Sequence, residues 1–533
     1  MFAAGTAPGR TLPPAPTLRA GLATRAEDTA YQETSTYADV ERFLGELDLR
    51  GAPVFRGSLG KSFEGRDIPF VIASRPRVQT PEAARALNRP IVLILAGLRG
   101  NEVDGKEAIL AILRDLCVST GKTLLDDLVF AIVPLANPDG NERFGSVAVN
   151  APMQNGPASV GTRENAQGID LDRDFVKLET QEARSIMDFV VRWQPDVFVD
   201  LRTDAGSFHD FSVTQAPPLH PAAFFGGAFA RDRLLPAVSR DLHDKYSMAS
   251  FVCGQFGSAQ PLPAPPAPSD TANFGWFAPP CRTCHATNYF GLRGSVATMV
   301  QSYCHDDLER RVFTTRAALE SILAYCSDND DDVIANSKTI THWLGGNVPI
   351  RGAFPPQAAL QPFAWENLAL NTDDAASPEP GVPAGFKRTD TFTTGQLPVY
   401  DRFVPTLSVD QTMGYLIPYE YAAAARRLLE RHGIVHTIAT GPETRPVTQF
   451  FVDGVDTSRA AVDGHSSTTL SGHWIAPVSF AVKAGAVFVP SVQTLGPLVS
   501  VLLEPESDDS FFTWNVFEGF VEPGYLAPVF RVV

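Results

Sequence analysis

Between Tyr37 and Asp328 short, almost purely apolar runs alternate with longer amphipathic segments, and this alternation limits the chain to few architectures. Pro90–Ala96 (PIVLILA), Leu128–Ala136 (LVFAIVPLA), Asp196–Leu201 (DVFVDL) and Ser295–Tyr303 read as buried strands. Asp104–Leu116, Gln181–Trp193, Ala228–Tyr246 and His305–Cys326 space their apolar residues as helices do. A strand that is apolar along its whole length needs cover on both faces, which a sheet open to water on one side does not provide. The expected fold class is α/β, a mixed and largely parallel sheet covered by helices.

Further along, the pattern changes. Gln255–Pro280, with PLPAPPAP inside it, reads as an irregular excursion, and 329–386 reads as an irregular connection rich in Asp, Pro and Gly. Beyond it Pro477–Val482, Ala486–Val489 and Leu498–Leu503 are apolar runs cut by Gly or Pro, which predicts a second, β-rich C-terminal domain. One helix stands out there, opened by Pro418, continued by Tyr421–Arg431 and ended by Gly433. The expected division is an irregular segment 1–29, an α/β domain 30–330, a connection 331–386 and a β-rich domain 387–533.

Composition excludes some functions. The formal net charge of -16 opposes binding of a polyanion by the general surface, so no nucleic-acid partner is expected. No apolar run approaches the roughly 18 residues of a membrane span. The first residues lack the apolar core of a secretory signal. Six cysteines are too few to staple 533 residues.

Ligands of open α/β sheets bind at the carboxyl ends of strands. Two strands end in Leu98-Arg99-Gly100-Asn101-Glu102 and Asp200-Leu201-Arg202-Thr203-Asp204. Between them lie NPDGNERF (137–144) and NAQGIDLDRDFVKLE (165–179), and SYCHDDLERRV follows from Ser302. In this order the motifs resemble the zinc carboxypeptidases, the carboxypeptidase A-like metallopeptidases, over most of residues 30–330. The tail LLEPESDDSFFTWNVF from Leu502 resembles the C-terminal extension of a bacterial branch of that family. The resemblance favours a secreted or periplasmic location and leaves the compartment and the oligomeric state open.

Such enzymes hold zinc with a His-x-x-Glu pair and a later His, and activate its water with a Glu. By the resemblance, Arg99 stands where the first His is expected, Glu102 is kept, and Arg202 stands at the second His. Gln301 replaces the general-base Glu. Asp172-Arg173 replaces the Asn-Arg pair that grips the substrate's terminal carboxylate, with Arg163 as the further arginine. A guanidinium has no lone pair for a metal, and Gln cannot take up a proton. The resemblance with these substitutions implies a pseudoenzyme without zinc, in which Arg99, Arg202, Arg163 and Arg173 line an anion-attracting pocket partly offset by Glu102 and Asp172. Its ligand would be a peptide or protein C-terminus or another carboxylate. One alternative is an active metallocarboxypeptidase with unusual metal ligation. Another is that the arginines only neutralise and fill a dead cleft.

Cys281-Arg282-Thr283-Cys284-His285 fits the CxxCH pattern of covalent haem c attachment. A c-type haem protein on a peptidase scaffold is therefore a third reading, against a disulfide or two free thiols. Four histidines need no ligand role: His209 as a cleft-wall or core residue, His305 at a helix start, and His432 and His436 near a helix C-terminus. Asp330–Asp332 and Asp508-Asp509 read as solvated acidic turns.

Overall fold

The computed structural model describes residues 22–119, 121–258, 274–338, 346–371, 381–382 and 385–533. Its main sheet has eight strands: β1 (Val54–Lys61), β2 (Asp67–Ala73), β3 (Ile91–Ala96), β4 (Val129–Val133), β5 (Val197–Thr203), β6 (Val213–Ala216), β7 (Ser250–Val252) and β8 (Val296–Ser302). Their order is β1-β2-β4-β3-β5-β8-β6-β7. The central strands β4, β3, β5 and β8 are mutually parallel, and β2 and β6 flank them antiparallel. The fold is the mixed, largely parallel α/β sheet expected.

Strand alternation sends successive side chains to opposite faces, and each face has its own cover. Val92 and Ile94 of β3 join a core with residues of helices Asp104–Val118 and Leu308–Asp328. Leu93 and Leu95 join the other core, with residues of helices Gln181–Trp193 and Ala286–Leu292. Every residue of β3 is buried, so each large aliphatic side chain contributes on the order of 1.5–3 kcal/mol. The second core continues into the C-terminal part without a break, taking in Tyr415, Leu429, Phe450, Leu502 and Val529.

That C-terminal part is β-rich, with a seven-stranded sheet that includes Gly414–Ile417, Glu443–Thr457 and Leu526–Val532. Its helix Tyr419–His432 follows Pro418 and ends at Gly433, whose φ of 69° is left-handed, as expected for a helix stop.

Several local expectations are corrected. Leu498–Leu503 is not a strand but part of the helix Gly496–Leu503, buried on every side. A segment covered all round has no polar face, so its periodicity could not separate helix from strand. The stretch 329–386 is not irregular throughout. It holds the helix Asp330–Lys338 and the strands Asn347–Ala353 and Ala359–Leu370, the last paired in a long antiparallel ribbon with Phe386–Tyr400. Its Asp- and Pro-rich part, 372–380, lies outside the described residues.

Gln255–Ser258 and Phe274–Phe277 are strands of the sheet containing that ribbon, and 259–273 lies outside the described residues. Within the first 29 residues, Arg25–Asp28 form a helical turn closed by a Thr24–Glu27 capping box. Asp330–Asp332 open a helix rather than a turn, where carboxylates suit the N-terminal dipole. The helix after β8 is capped by Asp307, not His305. His305 is buried, with its ring stacked on Phe208 at 4.0 Å between centroids.

Candidate functional site

The singled-out residues converge at the carboxyl ends of the parallel strands. Arg99 and Glu102 lie on the turn after β3, which passes so close to the NPDG segment that a Cβ on Gly100 would run into the Gly140 backbone. Asp200 and Arg202 are two apart on β5 and therefore share a face. Gln301 on β8 is in register with Arg202. Asp170 caps a short 3-10 turn, Leu171–Arg173, that brings in Asp172 and Arg173. Across from them His285 opens the helix Ala286–Leu292.

These groups form one charged network. Arg99 donates from Nη1 to Glu102 at 3.0 Å, and from Nε and Nη2 to Asp170 at 3.1–3.3 Å. Its Nη2 also reaches Asp172 at 3.2 Å. Arg202 grips Asp200 with two bonds of 2.7 and 2.8 Å and donates to the other oxygen of Asp172. Arg163 donates twice to Asp170, at 2.9 and 3.0 Å, and Arg173 lies 3.6 Å from the same carboxylate. His285 Nδ1 meets Asp172 at 2.8 Å. Asp172 is thus where both guanidinium groups and the imidazole meet.

Sequence reading named Glu102 and Asp172 as the only offsets to the arginines. Asp170 and Asp200 complete the balance, four carboxylates against Arg99, Arg163, Arg173 and Arg202. Their signal was present, since both acids sit in the quoted motifs. What sequence could not supply was which guanidinium each would face.

The electrostatics divide the carboxylates. Burial pushes the Asp170 carboxyl up, but the guanidinium of Arg99, aided by Arg163, overrides it and holds the group at about 2. Burial also opposes ionisation of Asp172, and Arg202 and His285 hold it well below the usual carboxylate range. At Glu102 and Asp200 burial prevails over Arg99 and Arg202 respectively, and both carboxyls are raised. Arg99 and Arg202 are held above their ordinary value by Asp170 and Asp172 respectively, against burial.

The cluster borders a cavity of about 340 Å³, lined by Arg163, Arg173, Arg202, Asp172, His285 and Gln301 together with Phe277, Pro279 and Met299. Gln301 accepts a hydrogen bond from Thr214 at 3.3 Å.

The donor set does not fit zinc. Guanidinium nitrogens offer no lone pair, and both oxygens of Glu102 are engaged, one by Arg99 and one by the Thr203 N–H at 3.3 Å. Among the described residues no group of three or more His, Cys, Asp or Glu is placed to hold a metal ion.

The CxxCH segment is built into the protein. Cys281 and Cys284 are 4% and 3% exposed, and burial raises both thiols, Cys281 to about 12. Cys281 Sγ lies 3.9 Å from the Gly352 carbonyl, and the Cys284 N–H donates to Asp509 at 2.6 Å. Attachment of a macrocycle at both sulfurs would require this shell to open. Asp509, expected in a solvated turn, is instead buried and also accepts from Arg282 at 3.0 Å and Trp514 at 2.7 Å.

The remaining histidines lie apart from the cavity chemistry. His209 is a buried wall residue bonded at both ring nitrogens, to Asp204 at 3.0 Å and by the Phe211 N–H at 3.2 Å. His432 is not a charged complement to the helix end. Burial drops it to about 3, and it bridges the Tyr289 hydroxyl at 2.6 Å and the Val176 carbonyl at 3.1 Å. His436 bonds its Nδ1 to the Ile434 carbonyl at 2.9 Å.

Comparison with known proteins agrees with the motif reading. Residues 49–203 match the family model of the zinc carboxypeptidases. Carboxypeptidase D of Rattus norvegicus is 30% identical over 190 residues, which cover 34% of this chain and 13% of that protein. Carboxypeptidase 2 of Trichophyton tonsurans is 24% identical over 499 residues, 89% of this chain and 81% of the fungal one. Among solved structures, the metallo-carboxypeptidase from Burkholderia cenocepacia is 16% identical with a TM-score of 0.40, over 55% of this chain and 70% of that one.

Proposed function

We propose that this zinc-carboxypeptidase-type domain has exchanged its metal for fixed cations and serves in binding or as a scaffold rather than in hydrolysis. One observation carries the reading. A guanidinium stands at each of the two positions where the resemblance places a histidine ligand, and each is closed by carboxylates within 3.3 Å. Gln301, in the place of the general base, removes a further contribution of about 10²–10⁴-fold to rate.

Recognition remains open to the cavity. Arg163 and Arg173 keep 39% and 34% of their side chains exposed, unlike Arg202 at 2%. A guanidinium edge suits a carboxylate through paired hydrogen bonds, so a peptide C-terminus or similar carboxylate is the ligand proposed. It would compete with Asp170 for the same two arginines, which keeps affinity modest.

The test has two parts. Incubated with zinc and then desalted, the full chain is expected to retain far less than stoichiometric metal and to release no C-terminal residue from blocked dipeptides. Stoichiometric zinc that disappears in Glu102→Ala would overturn the proposal. In titration calorimetry an N-acetylated peptide acid is expected to bind about tenfold more tightly than its amide. The preference should vanish when Arg163→Ala and Arg173→Ala are combined, and an unchanged preference there refutes the carboxylate reading.

A further inference from the structure

The helix Gln181–Trp193 packs against the helix Tyr419–His432 of the C-terminal part, and three arginines meet at this seam. Arg184 stands in the first turn of the former, and Arg427 and Arg431 lie one turn apart near the end of the latter. Two of them are anchored on successive carbonyls. Arg184 donates from Nη1 to the Glu179 carbonyl at 2.8 Å, and Arg431 reaches across the seam from Nη1 to the Leu178 carbonyl at 3.4 Å. Partial burial, then Arg184 and Arg427, hold the Arg431 guanidinium below its ordinary value.

Among the described residues none of the three is ion-paired with a carboxylate. The acids at hand are engaged or remote. Glu179 turns its carboxylate to His465 at 2.8 Å. Asp174 is buried and accepts from the Glu179 and Thr180 N–H groups at 3.1 and 2.8 Å and from the Thr180 hydroxyl at 2.7 Å. Asp188 offsets the cluster only from beyond ion-pair reach. By contrast Arg426, next to Arg427, pairs with Glu430 at 2.8 Å. A helix C-terminus favours a basic residue, which accounts for Arg431. It does not account for Arg184, in a first turn where the dipole repels a cation, or for a like charge at i, i+4.

We infer that this cluster binds a phosphate dianion across the seam, as the free ion or on a small phosphate monoester. Guanidinium groups meet phosphate through paired, charge-assisted hydrogen bonds, and the dianion offers more acceptor positions and more charge than a carboxylate does. Arg427 is exposed and Arg184 and Arg431 are partly so, which leaves an approach from solvent. A nucleic acid suits the site less, because its further phosphates would lie against the surface of a chain with net charge -16. With arginines contributed by both helices, the bound anion would draw the two parts together. None of the three lines the cavity at the strand ends, and this site does not depend on the carboxylate reading there.

The test is thermal unfolding of the full chain at neutral pH, with inorganic phosphate replacing chloride at constant ionic strength. A saturable rise in melting temperature is expected, because a ligand of the folded state alone stabilises it by mass action. Arg427→Gln should weaken the apparent affinity about tenfold, and Arg427→Gln combined with Arg431→Gln should abolish the saturable rise. In chloride alone Arg427→Gln should melt no lower than the parent, since it relieves repulsion, which separates lost binding from lost fold. Arg163→Ala with Arg173→Ala should keep the response. Its loss there would move the anion to the first cavity and overturn the inference. Glycerol 2-phosphate names the source, a larger rise assigning the site to a monoester and an equal one to the free ion. Phosphate also stabilises proteins generally by exclusion from their surfaces. A rise that does not saturate, or that the double variant at Arg427 and Arg431 shares, therefore overturns the inference.

Discussion

Two buried polar regions of this molecule solve the same problem in opposite ways. At the carboxyl ends of β3, β5 and β8, Arg99 and Arg202 are matched by Glu102, Asp170, Asp172 and Asp200 in a network of ion pairs. At the seam with the C-terminal part, His432 joins Tyr289 to Val176, and its backbone carbonyl accepts from Arg293 at 2.7 Å. An imidazole that accepts at one nitrogen and donates at the other is neutral, and burial keeps it so. The difference teaches where each kind of burial belongs. Charges persist in a dry site only when every partner is present, so the network is rigid and intolerant of deletion. The neutral bridge risks less when cut, but it depends on pH.

Removing a charge should break the comparison most sharply. Arg202→Met leaves Asp200 and Asp172 without their principal partner and is expected to cost about 3–5 kcal/mol in denaturant unfolding. Adding Asp200→Asn and Asp172→Asn should return most of that loss. A single variant that costs less than about 1 kcal/mol would mean the network is ornamental.

Acid should separate the two regions. His432 has a folded value of about 3 against an unfolded value of roughly 6.5, so its stabilisation is whole above the unfolded value and is lost as pH falls through that window. His220, lowered by burial to about 4, adds to the same loss. Asp170, held at about 2 against about 3.9 unfolded, keeps its contribution until pH falls below the ordinary Asp range. Hydrogen exchange, corrected for intrinsic rates, should therefore show helix Tyr419–His432 loosening near pH 5 while β5 stays protected. Simultaneous loosening would erase the distinction.

Cutting the neutral bridge is a smaller perturbation. Tyr289→Phe strips the donor from His432 Nδ1 and is expected to cost about 1–2 kcal/mol, read as a shift in unfolding midpoint without change in slope. Smaller still is Gly433→Ala. Its φ of 69° and the approach of Val191 to 3.0 Å from a built Cβ predict a loss of about 1 kcal/mol. A neutral outcome there would show that the helix end can shift along the seam. Visible absorbance of the purified chain closes the series, with no haemochrome band expected, because Cys281 and Cys284 are enclosed.

The legible parts of the fold were those with an unambiguous local signal. The strand Ile91–Ala96, the helix Gln181–Trp193 and the stop at Gly433 were all readable from apolar spacing and one left-handed glycine. Gly496–Leu503 was not, because a segment buried on all sides carries no polar stripe to report its period. The ribbon Ala359–Leu370 with Phe386–Tyr400 escaped notice because its partner strand lies beyond a turn-rich stretch. Pairing across such a gap is a long-range property.

The amino-acid order alone determined the α/β class and the resemblance to zinc carboxypeptidases, by which Arg99, Arg202 and Gln301 stand where His, His and Glu are expected. Those are statements about residue types, and chemistry attaches to a type wherever it sits. Only the tertiary structure decided what the arginines do. Asp170 and Asp200 turn an expected anion attractor into a balanced network. Whether a charge is free or spent depends on distances of about 3 Å between segments far apart in the chain, and the sequence holds no measure of those.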